Sequence, residues 1–170
     1  MFEKKKKHFL INDEFIKDKS NGSMEIIEPV WYSVSIYDGV EKYEKDLGAF
    51  SIPQRYVFAI EWYNAEVCNG GHDQFYGNST GIVWEDVMNG LKTIGAKKHY
   101  DIIKKSIKKM GGNPSKDSEE REEKLEELEP DFEKLDMKFY ELDEELDEKL
   151  QKYILDNAKD FYFDGVVTID

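Results

Sequence analysis

Apolar residues recur every three or four positions along most of this 170-residue chain, which is the spacing of one face of an α-helix. Pro29 predicts the first turn of a helix that ends near Asp38, because proline is tolerated at that position. Ser51 and Gln54 have the spacing of a capping box, so they predict the start of a second helix that continues to about Cys68.

Four further helical patterns follow this second helix. Apolar stripes cover residues 82–94 and 100–110, and Asp117 or Ser118 can cap the charged run SEEREEKLEELE. A last stripe over residues 135–154 keeps the helical spacing for about five turns. It predicts either one helix that faces the core or a broken pair of helices.

No segment alternates apolar and polar residues cleanly with the period of a strand, and no repeat is visible, although the C-terminal run FYFDGVVTID can end in a short extended piece. Hydrophobic residues make up 39% of the chain and aromatic residues 14%, which is typical of a folded domain. We therefore predict an all-α, single-domain bundle of about six to eight helices over residues 25–165, with a glycine-rich central loop. Residues 1–24 are expected to form a partly flexible extension, and residues 166–170 a tail.

The central segment, residues 64–81, reads NAEVCNGGHDQFYGNSTG and joins two of the predicted helices. Its glycines permit backbone conformations that other residues avoid, and its short polar side chains favour caps and turns. Phe75 and Tyr76 are expected to anchor it in the core, and Glu66 to accept hydrogen bonds from backbone amides. The pattern predicts a helix–loop–short helix–loop–helix.

This segment resembles the signature of the DNA mimic protein 19 family, and the resemblance covers roughly residues 50–155. Nine residues match that signature in order: Glu66, Asn69, Gly70, Gly71, Gln74, Phe75, Asn78, Ser79 and Gly81. The resemblance implies an all-α fold. It also implies an acidic dimer that imitates the charge of DNA and occupies the DNA-binding face of a transcription factor. We interpret the signature itself as structural.

The net charge of −13 is concentrated in the last third of the chain. Residues 111–170 hold 21 acidic and 8 basic residues, so they account for the whole imbalance. Such a surface repels nucleic acid and attracts a basic protein. The candidate acidic interaction surface comprises Glu119, Glu120, Glu122, Glu123, Glu126, Glu127, Glu141, Asp143, Glu144, Glu145, Asp147 and Glu148.

The residue pattern indicates neither a catalytic site nor a metal or cofactor site. The three histidines His8, His72 and His99 lie far apart and have no metal-ligand spacing. Cys68, the single cysteine, is interpreted as a small core residue, and its isolation is typical of a reducing compartment. No stretch of about 18 apolar residues is present, and the N-terminus lacks the pattern of a signal peptide, so we expect a cytoplasmic protein.

Three functional hypotheses remain from the sequence. The first is a non-enzymatic module whose acidic third binds a basic partner, such as a DNA-binding protein, by mimicking DNA. The second is an immunity or antitoxin-like protein that neutralises a basic toxin. The third is an enzyme or small-molecule site at Asn69–Gly81, which requires Glu66, His72 and Gln74 to converge on a pocket.

Overall fold

The computed structural model describes residues 3–169, which contain nine α-helices, two short 3₁₀ helices and one pair of β-strands. The elements are β1 (Lys5–Ile11), α1 (Asp13–Lys17), α2 (Ser23–Ser33), α3 (Val40–Leu47), α4 (Ile52–Gly77), α5 (Trp84–Ile94), α6 (Lys97–Lys109), α7 (Ser118–Leu128), α8 (Glu133–Tyr140), α9 (Leu146–Asp156) and β2 (Phe163–Ile169). The 3₁₀ helices are Ser79–Val83 and Ala158–Phe161. The prediction of a mainly helical fold is confirmed, and the purely helical class needs one correction, the strand pair.

The described residues divide into two compact units. The central unit is Ala59–Glu145, and the terminal unit combines the described residues up to Phe58 with those from Leu146 onward. Within the part of the chain that the structure describes, no helix is long and apolar enough to cross a lipid bilayer.

The strand pair lies in the terminal unit. The sequence pattern predicts a short extended piece in the run that forms β2, but neither β1 nor the pairing. Strands β1 and β2 are antiparallel and pair from Lys5 with Ile169 to Ile11 with Phe163. Phe9 and Ile11 are buried on one face, whereas the lysines at the start of β1 are exposed. The run of lysines therefore hides the alternation that marks a strand. Each strand also obtains its partner from the far end of the chain, where no local pattern can indicate it.

Helix α2 begins earlier than Pro29 predicts. The backbone N–H of Gly22 donates to the Glu25 carboxylate at 2.8 Å, and this contact caps the helix start. Pro29 therefore lies inside α2, which ends at Ser33 and not near Asp38. Proline is common in the first helical turn and glycine is only modestly favoured at an N-cap, so the sequence pattern places the start of this helix too late.

Helix α4 begins as predicted. The Ser51 N–H donates to the Gln54 side-chain carbonyl at 2.9 Å, and the Gln54 N–H donates to the Ser51 hydroxyl at 3.2 Å, which is the reciprocal pair of a capping box. The predicted glycine-rich loop, however, is not a loop. The helix is interrupted only at Gly70 (φ −157°, ψ 19°) and Gly71 (φ 72°, ψ −173°) and resumes to Gly77.

An aromatic cluster forms the middle of the central unit. The Tyr63 ring meets the Phe75 ring edge-on at 5.0 Å and the Phe139 ring at 5.6 Å between centroids, and all three side chains are buried. Cys68 does not join this core. Its side chain is exposed, which corrects the interpretation of it as a core residue.

The last apolar stripe forms the broken pair that was one of the two predicted alternatives. Helix α8 ends at Tyr140, and α9 begins at Leu146. The buried residues of the stripe are Leu135 and Phe139 in α8 and Leu150 and Ile154 in α9.

Candidate functional site

The Glu66 side chain is the centre of a hydrogen-bond network among signature residues. The Glu66 carboxylate accepts from the Gln74 amide at 2.7 Å and from the Asn78 amide at 3.2 Å. It therefore binds side-chain amides, whereas the sequence predicted backbone amides. A Cβ atom at Gly70 would overlap the Gln74 side chain, so glycine at this position lets Gln74 fold back over the break in α4.

Gly71 is the second glycine of the break, and its conformation excludes other residues for two reasons. Its φ of 72° lies in the left-handed region, and its ψ of −173° places it in a part of that region reached essentially only by glycine. A Cβ atom here would also overlap the carboxylate of Asp136, which comes from α8. The break and α8 therefore fit together only with glycine at this position.

His72 follows the break directly and is fully buried. The Asp136 carboxylate accepts from the His72 backbone N–H at 3.0 Å and from its Nδ1 at 2.5 Å, and the Tyr63 hydroxyl lies 2.8 Å from its Nε2. Burial lowers the pKa of His72, although the Asp136 hydrogen bond acts in the opposite direction. Burial also raises the pKa of Tyr63, so its hydroxyl keeps its proton and donates to Nε2. His72 is therefore neutral, with its proton on Nδ1.

Arg121, a residue that the sequence analysis did not single out, organises the end of the signature. It is fully buried, and its guanidinium donates to four backbone carbonyls: Tyr76 at 3.0 Å, Asn78 at 2.8 Å, Ser115 at 3.0 Å and Lys116 at 2.8 Å. Burial lowers its pKa to about 10, so it stays charged at neutral pH. The signal that could have identified it is a lone arginine in an acidic helix, one of only two arginines in the chain.

Gly81 is the signature residue that makes room for this arginine. A Cβ atom at Gly81 would lie 2.5 Å from the Arg121 Nε and 2.9 Å from the Phe75 carbonyl oxygen. The 3₁₀ helix that starts at Ser79 thus passes directly against the guanidinium. The signature segment and the acidic helix α7, which are distant in sequence, therefore meet at Arg121.

The acidic residues of α7 lie on the side of the helix opposite Arg121. At 100° per residue, Glu119, Glu120, Glu122, Glu123, Glu126 and Glu127 occupy one arc of about 160° centred opposite Arg121. All six are exposed. Two of them have neighbours that hold them: the Ser115 hydroxyl donates to Glu120 at 2.6 Å, and Lys124 pairs with Glu127 at 2.8 Å.

The remaining candidate acidic residues are arranged differently. Glu144 is largely buried, because its carboxylate accepts from the His99 Nδ1 at 2.7 Å and from the backbone N–H groups of Lys98 and His99 at 3.2 Å. Burial raises the pKa of Glu144, but these hydrogen bonds outweigh it and lower the pKa overall. Asp143 pairs with Lys98. Glu141 and Glu145 are exposed in the central unit, and Asp147 and Glu148 are exposed in the terminal unit.

The three residues required by the enzyme hypothesis do not converge. Glu66 contacts Gln74, whereas His72 contacts Asp136 and Tyr63. Across residues 3–169, no group of three or more histidine, cysteine, aspartate or glutamate side chains could hold a metal ion.

Comparison with known proteins identifies the family. No curated protein and no solved structure matches the chain. The family model described as DMP19-like protein matches residues 48–157, which is more than half of the chain. The matched region includes all nine signature residues, Arg121 and the whole of α7. The chain therefore belongs to the family of DMP19-like proteins.

Proposed function

We propose that this protein is a non-enzymatic interaction module that uses the outward face of α7 to bind the basic nucleic-acid-binding surface of a partner protein. The observation that carries the proposal is the arc of six exposed glutamates on a helix whose opposite side is fixed by Arg121. Membership of the DMP19-like family supports this proposal, because it suggests that the protein is a DNA mimic.

The linear charge density of this face is comparable to that of DNA. Residues 119–127 span about 12 Å of helix axis at 1.5 Å per residue. A DNA duplex carries about seven phosphate charges over the same length, at one charge per 1.7 Å. Six glutamates over 12 Å, one of them paired with Lys124, approach that number, so a basic surface that attracts DNA also attracts this face.

A mimic must hold its carboxylates in place before binding, because ordering them on binding costs conformational entropy. Three features order α7. The Asp117 side chain accepts from the Glu120 N–H at 3.1 Å and caps the helix start, Arg121 fixes the inner side, and the Glu129 N–H donates to the Leu125 carbonyl at the end.

Charge-neutral variants of α7 test the proposal. The protein is immobilised and exposed to a lysate of its own cells at low salt, bound proteins are eluted with a salt gradient, and duplex DNA is then offered as a competitor. We expect a discrete basic protein that DNA displaces. Replacing Glu119, Glu122, Glu123 and Glu126 with glutamine should abolish its capture.

The matched control neutralises four exposed carboxylates elsewhere, at Glu3, Glu14, Glu41 and Asp101. It makes the same change in net charge, so capture by this variant should persist. Equal loss in both variants would mean that net charge alone governs binding and would contradict a site on α7. A captured partner that duplex DNA does not displace would overturn DNA mimicry and favour the antitoxin-like hypothesis.

A homodimer and a cytoplasmic location remain predictions from the sequence. If the protein is a dimer, two copies of α7 are available to one partner, and avidity strengthens binding.

A further inference from the structure

An open hollow of about 460 Å³ lies in the surface of the central unit, beside the break in α4 and the start of α8. Gly71 and Asp136, which meet at the break, form part of its lining. The α7 glutamates do not line it, so the proposed function leaves this feature unexplained.

Apolar and aromatic side chains form one wall of the hollow. Met137 and Tyr140 are 53% and 54% exposed, although large apolar side chains on α8 would normally be covered. Tyr140 is held in place, because its hydroxyl donates to the Val67 carbonyl at 2.7 Å. The wall therefore combines an anchored aromatic ring with an exposed apolar side chain.

The charge of the hollow is negative. The Asp136 carboxylate lines the hollow, and its hydrogen-bonding partner His72 is neutral, so this contact supplies no positive charge. The exposed carboxylates of Asp131 and Glu133 also line the hollow. Among the described residues, no lysine or arginine lines it.

We propose that this hollow binds an arginine side chain of a protein partner. A planar guanidinium stacks on an aromatic ring such as that of Tyr140 and donates to carboxylates in a fork, and its aliphatic stem packs on an apolar side chain such as that of Met137. The identity of the partner as a basic protein rests on the proposed function. The binding chemistry of the hollow does not depend on the α7 glutamates.

Titration of the isotope-labelled protein with blocked arginine (N-acetyl-arginine methylamide), followed by NMR, tests this inference. Blocked citrulline is the matched ligand control, since it has nearly the same shape and no charge. Blocked arginine should bind with millimolar affinity and shift the amide resonances of the residues that line the hollow, in the ranges 70–73 and 131–140. Blocked citrulline should leave them in place.

Two substitutions at the exposed Met137 provide the protein control. Met137→Lys places a cation in the hollow and should weaken the binding of blocked arginine by roughly tenfold or more. Met137→Gln is of similar length but uncharged; it loses the apolar contact with the arginine stem, so it should bind blocked arginine more weakly than the wild type but clearly more tightly than Met137→Lys. Equal shifts from citrulline, or equal binding by the lysine and glutamine variants, would overturn the inference.

The four-glutamine variant of α7 separates this inference from the proposed function. It should lose capture of the basic partner and still bind blocked arginine. If the wild type captures a partner that DNA displaces but shows no arginine-specific shifts, the inference about the hollow is wrong and the proposed function stands.

Discussion

Replacing Arg121 with methionine should destabilise the protein while keeping the volume of the side chain. The guanidinium makes four hydrogen bonds to backbone carbonyls, and the one to Tyr76 is fully buried. Methionine offers no donor, so those four acceptors lose their partner. We therefore expect α7 and the end of the signature segment to lose their connection.

The expected magnitude follows from these contacts. Leaving the buried Tyr76 carbonyl without a donor costs about 2–3 kcal/mol, and the three half-buried carbonyls, which water can reach in part, cost about 1 kcal/mol each. Against this, the variant no longer buries a charge. The fall in the pKa of Arg121 from its ordinary value to about 10 corresponds to a cost of about 3 kcal/mol for burying its charge. The net loss of stability should be about 2–3 kcal/mol.

Urea unfolding followed by circular dichroism and tryptophan fluorescence measures this loss. Lys124→Met on the same helix is the matched control. Lys124 pairs with Glu127 at the protein surface, so its loss should change the free energy of unfolding by less than about 0.5 kcal/mol. Hydrogen exchange should show lost protection in residues 76–81 and in α7.

Two results would refute this reasoning. If Arg121→Met unfolds at the same urea concentration as Lys124→Met, the carbonyl contacts do not stabilise the fold. If Arg121→Lys is as stable as the wild type, the positive charge matters and the forked geometry of the guanidinium does not, because an ammonium group cannot reach four separate carbonyls.

Three further predictions concern the break in α4 and the start of α6. Gly71→Ala should lower the free energy of unfolding, measured in urea, by about 2–4 kcal/mol, because the positive φ and the overlapping Asp136 carboxylate act together. Gly112→Ala is the control, since Gly112 has a φ of +94° and nothing lies within 4 Å of a Cβ placed there. It should cost only the backbone strain, about 1–2 kcal/mol. Burial lowers the pKa of His72 below 6.5. The stability that its neutral form contributes is therefore present above pH 6.5 and is lost as the pH falls through its folded-state pKa. The urea midpoint of His72→Gln should lack this part of the decline on acidification. Glu144→Gln should lower the free energy of unfolding by about 1–2 kcal/mol at pH 7, because it weakens the hydrogen bonds that hold the pKa of this carboxylate below 4.5. The control, Glu145→Gln, replaces an exposed side chain and should change the free energy of unfolding by less than about 0.5 kcal/mol.

Each of these predictions has an outcome that contradicts it. Equal costs at the two glycines would mean that the carboxylate contact adds nothing to backbone strain. Parallel pH profiles for the wild type and His72→Gln would mean that His72 does not titrate differently on folding. A loss at Glu145 equal to that at Glu144 would mean that the buried contact at α6 is not specific.

Local features of the sequence were sufficient to predict most of the helices. The Ser51–Gln54 capping box and the Asp117 cap lie where the sequence predicts them, because both depend on residues three positions apart. The start of α2 was predicted wrongly, because Pro29 indicated a first helical turn, whereas the helix begins after Gly22 and contains Pro29. The nine signature residues sufficed to indicate the family.

The candidate site depended on contacts that no local pattern contains. Arg121 lies 45 positions from Tyr76, Asp136 lies 64 from His72, and β1 pairs with a strand at the other end of the chain. The sequence by itself determined the helical fold, the family and the concentration of acidic charge, because composition and short-range spacing encode them. Only the tertiary structure decided which carboxylates face solvent on α7, that Glu144 is buried against the start of α6, and why three signature positions must be glycine. Those outcomes depend on which distant side chain fills the space beside each residue.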